Sequence, residues 1–534
     1  MEFDTFDTFE SLLGEFRKRT GTALLFEDRN FPGGKGFLSY KDFASLIASK
    51  ADQIRSEGRT ADFVRAAHTP DTLVTIFADV IAGCSVVLLA PGLPLLKENA
   101  VRKLLPAQLK RKAFSESTAA SGSTASADGD HKSGEAETDA AGDAGGEVEI
   151  SAADDAGGEV EISAAEDAGG EVEISAAGGT PEESLSEGKL IFFTSGTTHS
   201  SKAVVLSAKA LLHAAWRGQE CLPAGEGDIL LSILPLSHVF GFVCTMLWGL
   251  CYGAAVALGR GVRHLMDDPK FFHPTILPLV PVLAGAMTRF SCYNPELKVV
   301  LIGAAPLSGN ELEAMKSKTS AKIYTGYGLT ETASGVAITE DVDDPCSLRV
   351  CPGVELKLGP DNEILLKTDS LLERYIELLP VPGQLRDVIN RLHRDSEEQP
   401  LLDEEGFFHT GDIGSFDKNG RIHISGRKKD IIVLPDGTKI FCPEYEKALA
   451  DALGTDELAV TKRKGRAILL ISDKVKKETA EKVVSELNQR LSRSQQIAGI
   501  TYISVPLPRT VTGKLKRWMI EKAILKGDFE VWKQ

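Results

Sequence analysis

Residues Phe192 to Val204 read FFTSGTTHSSKAV, a loop of hydroxyls around one glycine that ends in Lys202. It follows Leu190-Ile191-Phe192-Phe193, an apolar run with the length and character of a buried strand. Backbone N–H groups, several hydroxyl donors and a single cation are the groups that hold a polyphosphate. The loop is not a Walker loop. The spacing from Gly196 to Lys202 fits, but Ser201 stands where glycine should precede the lysine, and Ala203 follows it. No G-x-G-x-x-G or G-x-S-x-G occurs, so the common kinase, dinucleotide and hydrolase signatures are missing. On its own the loop reads as a polar surface turn rather than a site.

Four further segments change that reading. Tyr327-Gly328-Leu329-Thr330-Glu331, Thr410-Gly411-Asp412 and Gly426-Arg427-Lys428-Lys429-Asp430 follow in order, and Pro508-Arg509-Thr510-Val511-Thr512-Gly513-Lys514-Leu515 lies near the end. Together the set resembles the adenylate-forming (AMP-binding) superfamily of acyl-CoA synthetases, luciferases and peptide-synthetase adenylation domains. The pattern is most similar to the fatty acyl-CoA synthetases. The resemblance covers nearly the whole chain except an insert near residues 115–188.

The resemblance implies ATP, Mg2+ and coenzyme A as partners in a two-step reaction. Thr194, Ser195, Gly196, Thr197, Thr198 and Lys202 match the loop that holds the β- and γ-phosphates, with His199 and Ser201 departing from the usual glycine and proline. Tyr327 matches the aromatic that stacks on adenine, with Gly328 beside it, and Thr330 the hydroxyl that meets the α-phosphate. Glu331 matches the Mg2+ carboxylate, a hard oxygen ligand for a hard cation. Gly303, Ala304 and Ala305 match a small-residue stretch that leaves room for base and acyl chain. Asp412 is expected to accept from both ribose hydroxyls, joined by Arg427. Lys514 matches the lysine that bridges the substrate carboxylate and the α-phosphate. Lys429 falls at the hinge, and Gly437, in Pro435-Asp436-Gly437-Thr438, would let backbone approach the pantetheine arm closely.

Leu234-Pro235-Leu236-Ser237-His238-Val239-Phe240-Gly241 resembles the fatty-acyl and related CoA ligases, and no aspartate is found there to meet an amino acid's ammonium group. His238 and Phe240 could gate an apolar pocket, although His238 reads equally as a core histidine. Phe242, Val243, Met246, Leu247 and Trp248 either line an acyl tunnel or pack a helix. The expected substrate is a medium- to long-chain fatty acid or related carboxylate. Coenzyme A is the expected acceptor, an acyl carrier protein the second. An enzyme that stops at acyl-AMP, and a silent nucleotide-binding scaffold, are the rival readings; the joint presence of Lys202, Glu331, Asp412, Arg427 and Lys514 argues against the scaffold.

These residues need a large framework, and 534 residues with 43% apolar content is too long for one compact core. The net charge of −16 comes from residues 115–188, which carry 20 acidic residues and one lysine. Near copies of GGEVEISAADDA begin there at Gly145, Gly157 and Gly169, and the composition reads as a disordered acidic linker. The rest is nearly neutral, and no nucleic-acid partner is expected. Eight scattered cysteines without a C-x-x-C pair suggest reduced thiols in a cytoplasmic protein. The N-terminal MEFDTFDTFESLLGEF lacks the basic-then-apolar order of a signal peptide. Val239 to Leu258 is 20 residues without a charge, long enough to span a bilayer, but Gly253 splits it into helix-like and strand-like parts. It is read as a buried helix feeding a buried strand, with membrane association at most peripheral, through the substrate.

Alternating helix patterns (Phe6–Arg19, Lys41–Ser56) and strand patterns (Thr22–Phe26, Ser85–Leu89) predict α/β architecture. The expected fold is a large N-terminal adenylate-forming domain of layered α/β subdomains plus a small mobile α+β C-terminal domain. The expected boundaries are 1–114 for the first part of the large domain, 115–188 for the insert, 189–426 for the remainder and 427–534 for the lid.

Overall fold

The computed structural model describes residues 5–28, 30, 32–91, 187–193, 202–339, 344–377, 402–436, 438–509 and 515–527. Residues 115–186 of the acidic insert, residues 194–201, Gly437 and Lys514 lie outside the described residues, and Lys202 is described in backbone only. Contacts group Met1–Lys110 with Leu185–Gln534 as one unit.

Apolar alternation and β-branched runs build two sheets in the first part of the chain. One runs Arg374–Glu377, Lys202–Leu206, Leu190–Phe193, Ser85–Leu89, Ala61–Arg65. Its Ser85–Leu89 and Leu190–Phe193 strands are parallel, with Val86 opposite Leu190, and they flank the insert in sequence. The second sheet has 13 strands. Its parallel portion places Lys322–Leu329 beside Val299–Ile302, Ile276–Leu279, Ile229–Ser232 and Ala255–Leu258. Its antiparallel portion contains Ser334–Thr339, Leu348–Val350, Ile422–Arg427 and Phe408–Phe416. The α/β prediction holds.

The predicted Val239–Leu258 transition is more broken than expected. The segment forms a helix at Val239–Phe242, a π-helical turn at Val243–Leu247 and a helix at Trp248–Cys251; Gly253 then turns at φ +88° into the Ala255–Leu258 strand. Phe242, Val243, Met246, Leu247 and Trp248 are all buried in the main core. Among the described residues, no helix is long and apolar enough to cross a membrane.

The C-terminal part has its own apolar core around Leu434, Ile440, Tyr445, Leu449, Leu469 and Ile471. Its sheet orders Leu458–Arg463, Arg466–Ser472 and Ile500–Ile503, with helices Cys442–Leu453 and Lys477–Asn488.

Candidate active site

The Lys322–Leu329 strand carries Tyr327 and Gly328, then breaks into a short turn, Thr330–Thr332. Glycine is required at 328, because a Cβ there would collide with the Ser334 backbone carbonyl. The turn is closed by Thr332, whose hydroxyl donates 2.8 Å to the Ser334 carbonyl. Ala333 at φ 52° and Ser334 at φ 123° reverse the chain into the next strand.

Asp412 and Arg427 face each other across the Phe408–Phe416 and Ile422–Arg427 strands, so register alone makes them neighbours. Arg427 Nε lies 3.0 Å from Asp412 Oδ1, and the Tyr327 hydroxyl donates 2.6 Å to Oδ2. Asp412 is only 3% exposed, and its N–H donates to Thr410 Oγ1. Burial first, and then the Asp412 carboxylate, drive the Tyr327 phenol well above its usual pKa, which keeps it a donor. Three residues from three separate motifs thus form one knot, joined by a hydrogen bond and an ion pair.

Glu331 is held by a residue the sequence did not reveal. Tyr375 donates 2.9 Å to Glu331 Oε1, and burial together with that carboxylate raises its phenol pKa. Tyr375 sits on Arg374–Glu377, which pairs with Lys202–Leu206: Tyr375 faces Val204, and Glu377 faces Lys202. The strand that leaves the hydroxyl-rich loop is therefore one step from the strand that anchors Glu331. Among the described residues, no group of three or more His, Cys, Asp or Glu side chains could by itself hold a metal ion. A single carboxylate suits a cation that brings phosphate oxygens and waters with it.

His238 precedes the Val239–Phe242 helix without capping it, and burial lowers its pKa, which favours the neutral imidazole. Phe240 meets the small-residue stretch: its ring Cζ would lie 2.7 Å from a Cβ on Gly303. Ala304 adopts φ 67° beside it. The His238 and Gly303 motifs are thus neighbours through Phe240, while among the described residues no hydrogen bond joins His238 to Tyr327, Glu331 or Asp412.

Gly426 adopts φ 147° against the Phe441 ring, where any side chain would collide. Lys429 has its pKa lowered, chiefly by burial and then by Arg427. A second group missed in the sequence is Glu363, buried and accepting from Gly411 N at 3.0 Å and Lys428 Nζ at 3.1 Å. Burial works against its charge, but Lys428 and the Gly411 N–H hold its pKa below the usual range. Beyond the hinge, Arg517 donates 2.7 Å to Asp430 and pairs with both Glu446 oxygens at 2.9 and 2.7 Å.

Tyrosine, aspartate and arginine thus meet at one buried carboxylate, and the anchored Glu331 follows Tyr327 by four residues. The AMP-binding enzyme family model matches residues 17–368, and the chain belongs to that family. It is 28% identical over 351 residues to a methyl-dioxo-octahydroindenyl propanoyl:CoA ligase of Rhodococcus jostii, covering 61% of this chain and 63% of that one. It is also 28% identical over 319 residues to human long-chain-fatty-acid–CoA ligase 1, covering 47% and 43%. The chain thus spans less than two thirds of the length of these two relatives. Its fold is shared with the Bacillus subtilis O-succinylbenzoate coenzyme A synthetase in complex with ATP and magnesium ion. The TM-score there is 0.65 at 18% identity, over 96% of this chain and 99% of that one.

Proposed function

We propose that the protein joins a carboxylic acid to coenzyme A in two steps, using ATP and Mg2+. A carboxylate oxygen attacks the α-phosphorus, pyrophosphate leaves, and acyl-AMP remains. The thiol sulfur then attacks the acyl carbon, and AMP departs with the electron pair of the broken C–O bond. The observation that carries this reading is the Tyr327–Asp412–Arg427 knot, a rigid acceptor flanked by an aromatic and a cation. Asp412 binds the ribose, Tyr327 packs on the base, and Thr330 meets the α-phosphate. Thr194, Ser195, Gly196, Thr197, Thr198 and Lys202 hold the outgoing pyrophosphate. Mg2+ neutralises phosphate charge when bound, and Glu331, oriented by Tyr375, is its protein ligand.

Lys514 bridges the two reacting anions in the first step. Residues 427–534 act as a lid that turns about Lys429, so that the loop containing Gly437 lines the thiol's approach in the second step. The separate apolar core of that part supports a lid able to move as a body. Gly303, Ala304, Ala305, His238 and Phe240 border the acyl pocket, whose apolar lining favours a medium- to long-chain fatty acid. The acidic insert at 115–188 is a linker within the large domain, and the enzyme works in the cytoplasm.

ATP–pyrophosphate exchange with acetate, octanoate, palmitate, benzoate and amino acids tests the reading. Exchange with the fatty acids is the expected result. Exchange confined to benzoate or amino acids overturns the substrate class; its absence with every carboxylate, in protein that binds ATP, overturns the activity.

A further inference from the structure

Arg217 is among the largest fully buried side chains, at 2% exposure, and among the described residues it meets no carboxylate at hydrogen-bonding distance. It donates to the Gly335 carbonyl at 2.9 Å, Thr368 Oγ1 at 2.8 Å and Ser370 Oγ at 2.6 Å. Three cysteines, Cys351, Cys221 and Cys244, lie within its electrostatic reach, together with Asp369. Cys221 lies four residues on along the Ala208–Cys221 helix, hence on the same face. Cys351 N donates 2.9 Å to the Val336 carbonyl, next to the carbonyl that Arg217 takes. Cys244 Sγ lies 3.1 Å from Ser334 Oγ on the same strand. Two chain segments are thus clamped to adjacent residues of the Ser334–Thr339 strand, which brings Cys221 and Cys351 to the same patch of it, and each thiol acts on the other's titration. Each thiol has an arginine on its own face: Arg217 at i−4 on the helix, and Arg349 at i−2 on extended chain. All eight cysteines are free.

We propose that Cys221 and Cys351 form an oxidisable thiol pair, a modification site for peroxides beside the Glu331 turn. Cys221 is half-buried, within reach of a small oxidant, and Cys351 is buried behind it. The hydrogen bond from Cys351, aided by Arg349 and Arg217, lowers the Cys221 pKa against burial and Glu220; the same contact and burial raise that of Cys351. The roles follow. The Cys221 thiolate attacks a peroxide oxygen, breaks the O–O bond and becomes a sulfenic acid, releasing hydroxide or alkoxide. The Cys351 sulfur then displaces water from the sulfenic acid, and an S–S bond forms. Two thiols lose two electrons, and one peroxide is reduced.

The pair is wired to the site. Arg217 holds Ser370, and Ser370 Oγ donates 2.9 Å to the Thr332 carbonyl, next to Glu331. Closing the disulfide one helical turn from Arg217 shifts that chain and weakens adenylation, a consequence that rests on the activity proposed above.

The experiment treats the full chain with hydrogen peroxide, alkylates the remaining thiols, and maps peptides without reduction. A Cys221–Cys351 linked peptide that dithiothreitol abolishes is expected. In Cys351→Ser, dimedone should capture sulfenic acid at Cys221; Cys221→Ser should give neither product. Capture concentrated at the exposed Cys346, a link through Cys244, or no link overturns the pair, and the wild-type map alone decides this should either variant fold poorly. Pyrophosphate exchange should fall at least fivefold on oxidation and recover with dithiothreitol. Unchanged exchange in linked protein overturns the wiring to Glu331, whereas no exchange in reduced protein strikes the adenylation reading and leaves the link standing.

Discussion

Asp412 and Asp79 are both buried, at 3% and 0% exposure, and the fold treats them in opposite ways. Asp412 receives a phenol, a guanidinium Nε and a backbone tied by Thr410, so its charge is met on both oxygens. Asp79 lies on the Pro70–Ile81 helix with its Oδ1 4.0 Å from Arg59 Nη2. Burial, followed by the nearby Asp62 charge, pushes its pKa up to about 7. The first has a donor or cation at each oxygen; the second is a carboxyl that the fold tolerates best when protonated. Burial alone therefore does not distinguish the two. The partners do.

The largest effect should come from Asp412→Ala, which leaves Arg427 and Tyr327 without their shared acceptor. Exchange should drop by about 10²-fold or more, by analogy with removing one preorganised group from a transition state. Exchange within a few-fold of wild type would show that the knot is structural only. Asp79→Asn should act in the opposite sense, on stability. The folded state keeps the Asp79 proton up to about pH 7 while the unfolded chain releases it near the ordinary aspartate value of 3.8, so native stability falls as pH rises between the two. The asparagine variant should therefore gain roughly 2–3 kcal/mol over wild type between pH 5 and pH 8 in urea melts. A gain that is flat with pH would refute the buried, protonated carboxyl.

Tyr375→Phe should cost less. It removes one hydrogen bond to a charged oxygen, worth about 1.5–3 kcal/mol, and should raise the Mg2+ needed for half-maximal exchange roughly tenfold with little change in melting. An unmoved Mg2+ titration would detach Tyr375 from Glu331's role. Smallest of all is Lys439→Ala, which breaks a 2.6 Å pair with Asp361 between two half-exposed side chains. Such pairs contribute about 0–1 kcal/mol, so melting should barely move. A shift of several degrees would mean that this contact fastens the C-terminal part far more than its exposure suggests.

Much of this was legible in the chain. The apolar runs at Ser85–Leu89 and Leu190–Phe193 are strands with the expected limits, and Thr22–Phe26 extends by one residue. Asp412 and Arg427 could be paired from their motifs, and strand register makes them neighbours; the Tyr327 hydroxyl bond to Asp412 comes from strands that are not adjacent and was not foreseen. Tyr375 and Glu363 could not be paired with their partners from sequence either. Each acts on a partner 44 or 48 residues away, and an isolated tyrosine or glutamate in a strand pattern carries no local sign of that. Arg217 was hidden for the converse reason: an arginine on an amphipathic helix reads as solvated until tertiary packing buries it. The π-helical turn at Val243–Leu247 was invisible because apolar periodicity does not distinguish a wide turn from a regular one.

The parallel pairing of Ser85–Leu89 with Leu190–Phe193 has a consequence for how this gene can grow. Parallel neighbours cannot be joined by a tight hairpin; the chain must return the full length of a strand, which takes a dozen residues or more. The connection between Pro91 and Glu187 is thus a return path whose minimum is fixed by topology and whose maximum is not. Each doubling of such a path costs only about 0.6 kcal/mol in closure entropy, and none of the strand registers depends on its length. Repeat expansion by unequal recombination could lengthen the gene here while the sheets on either side remain under selection unchanged.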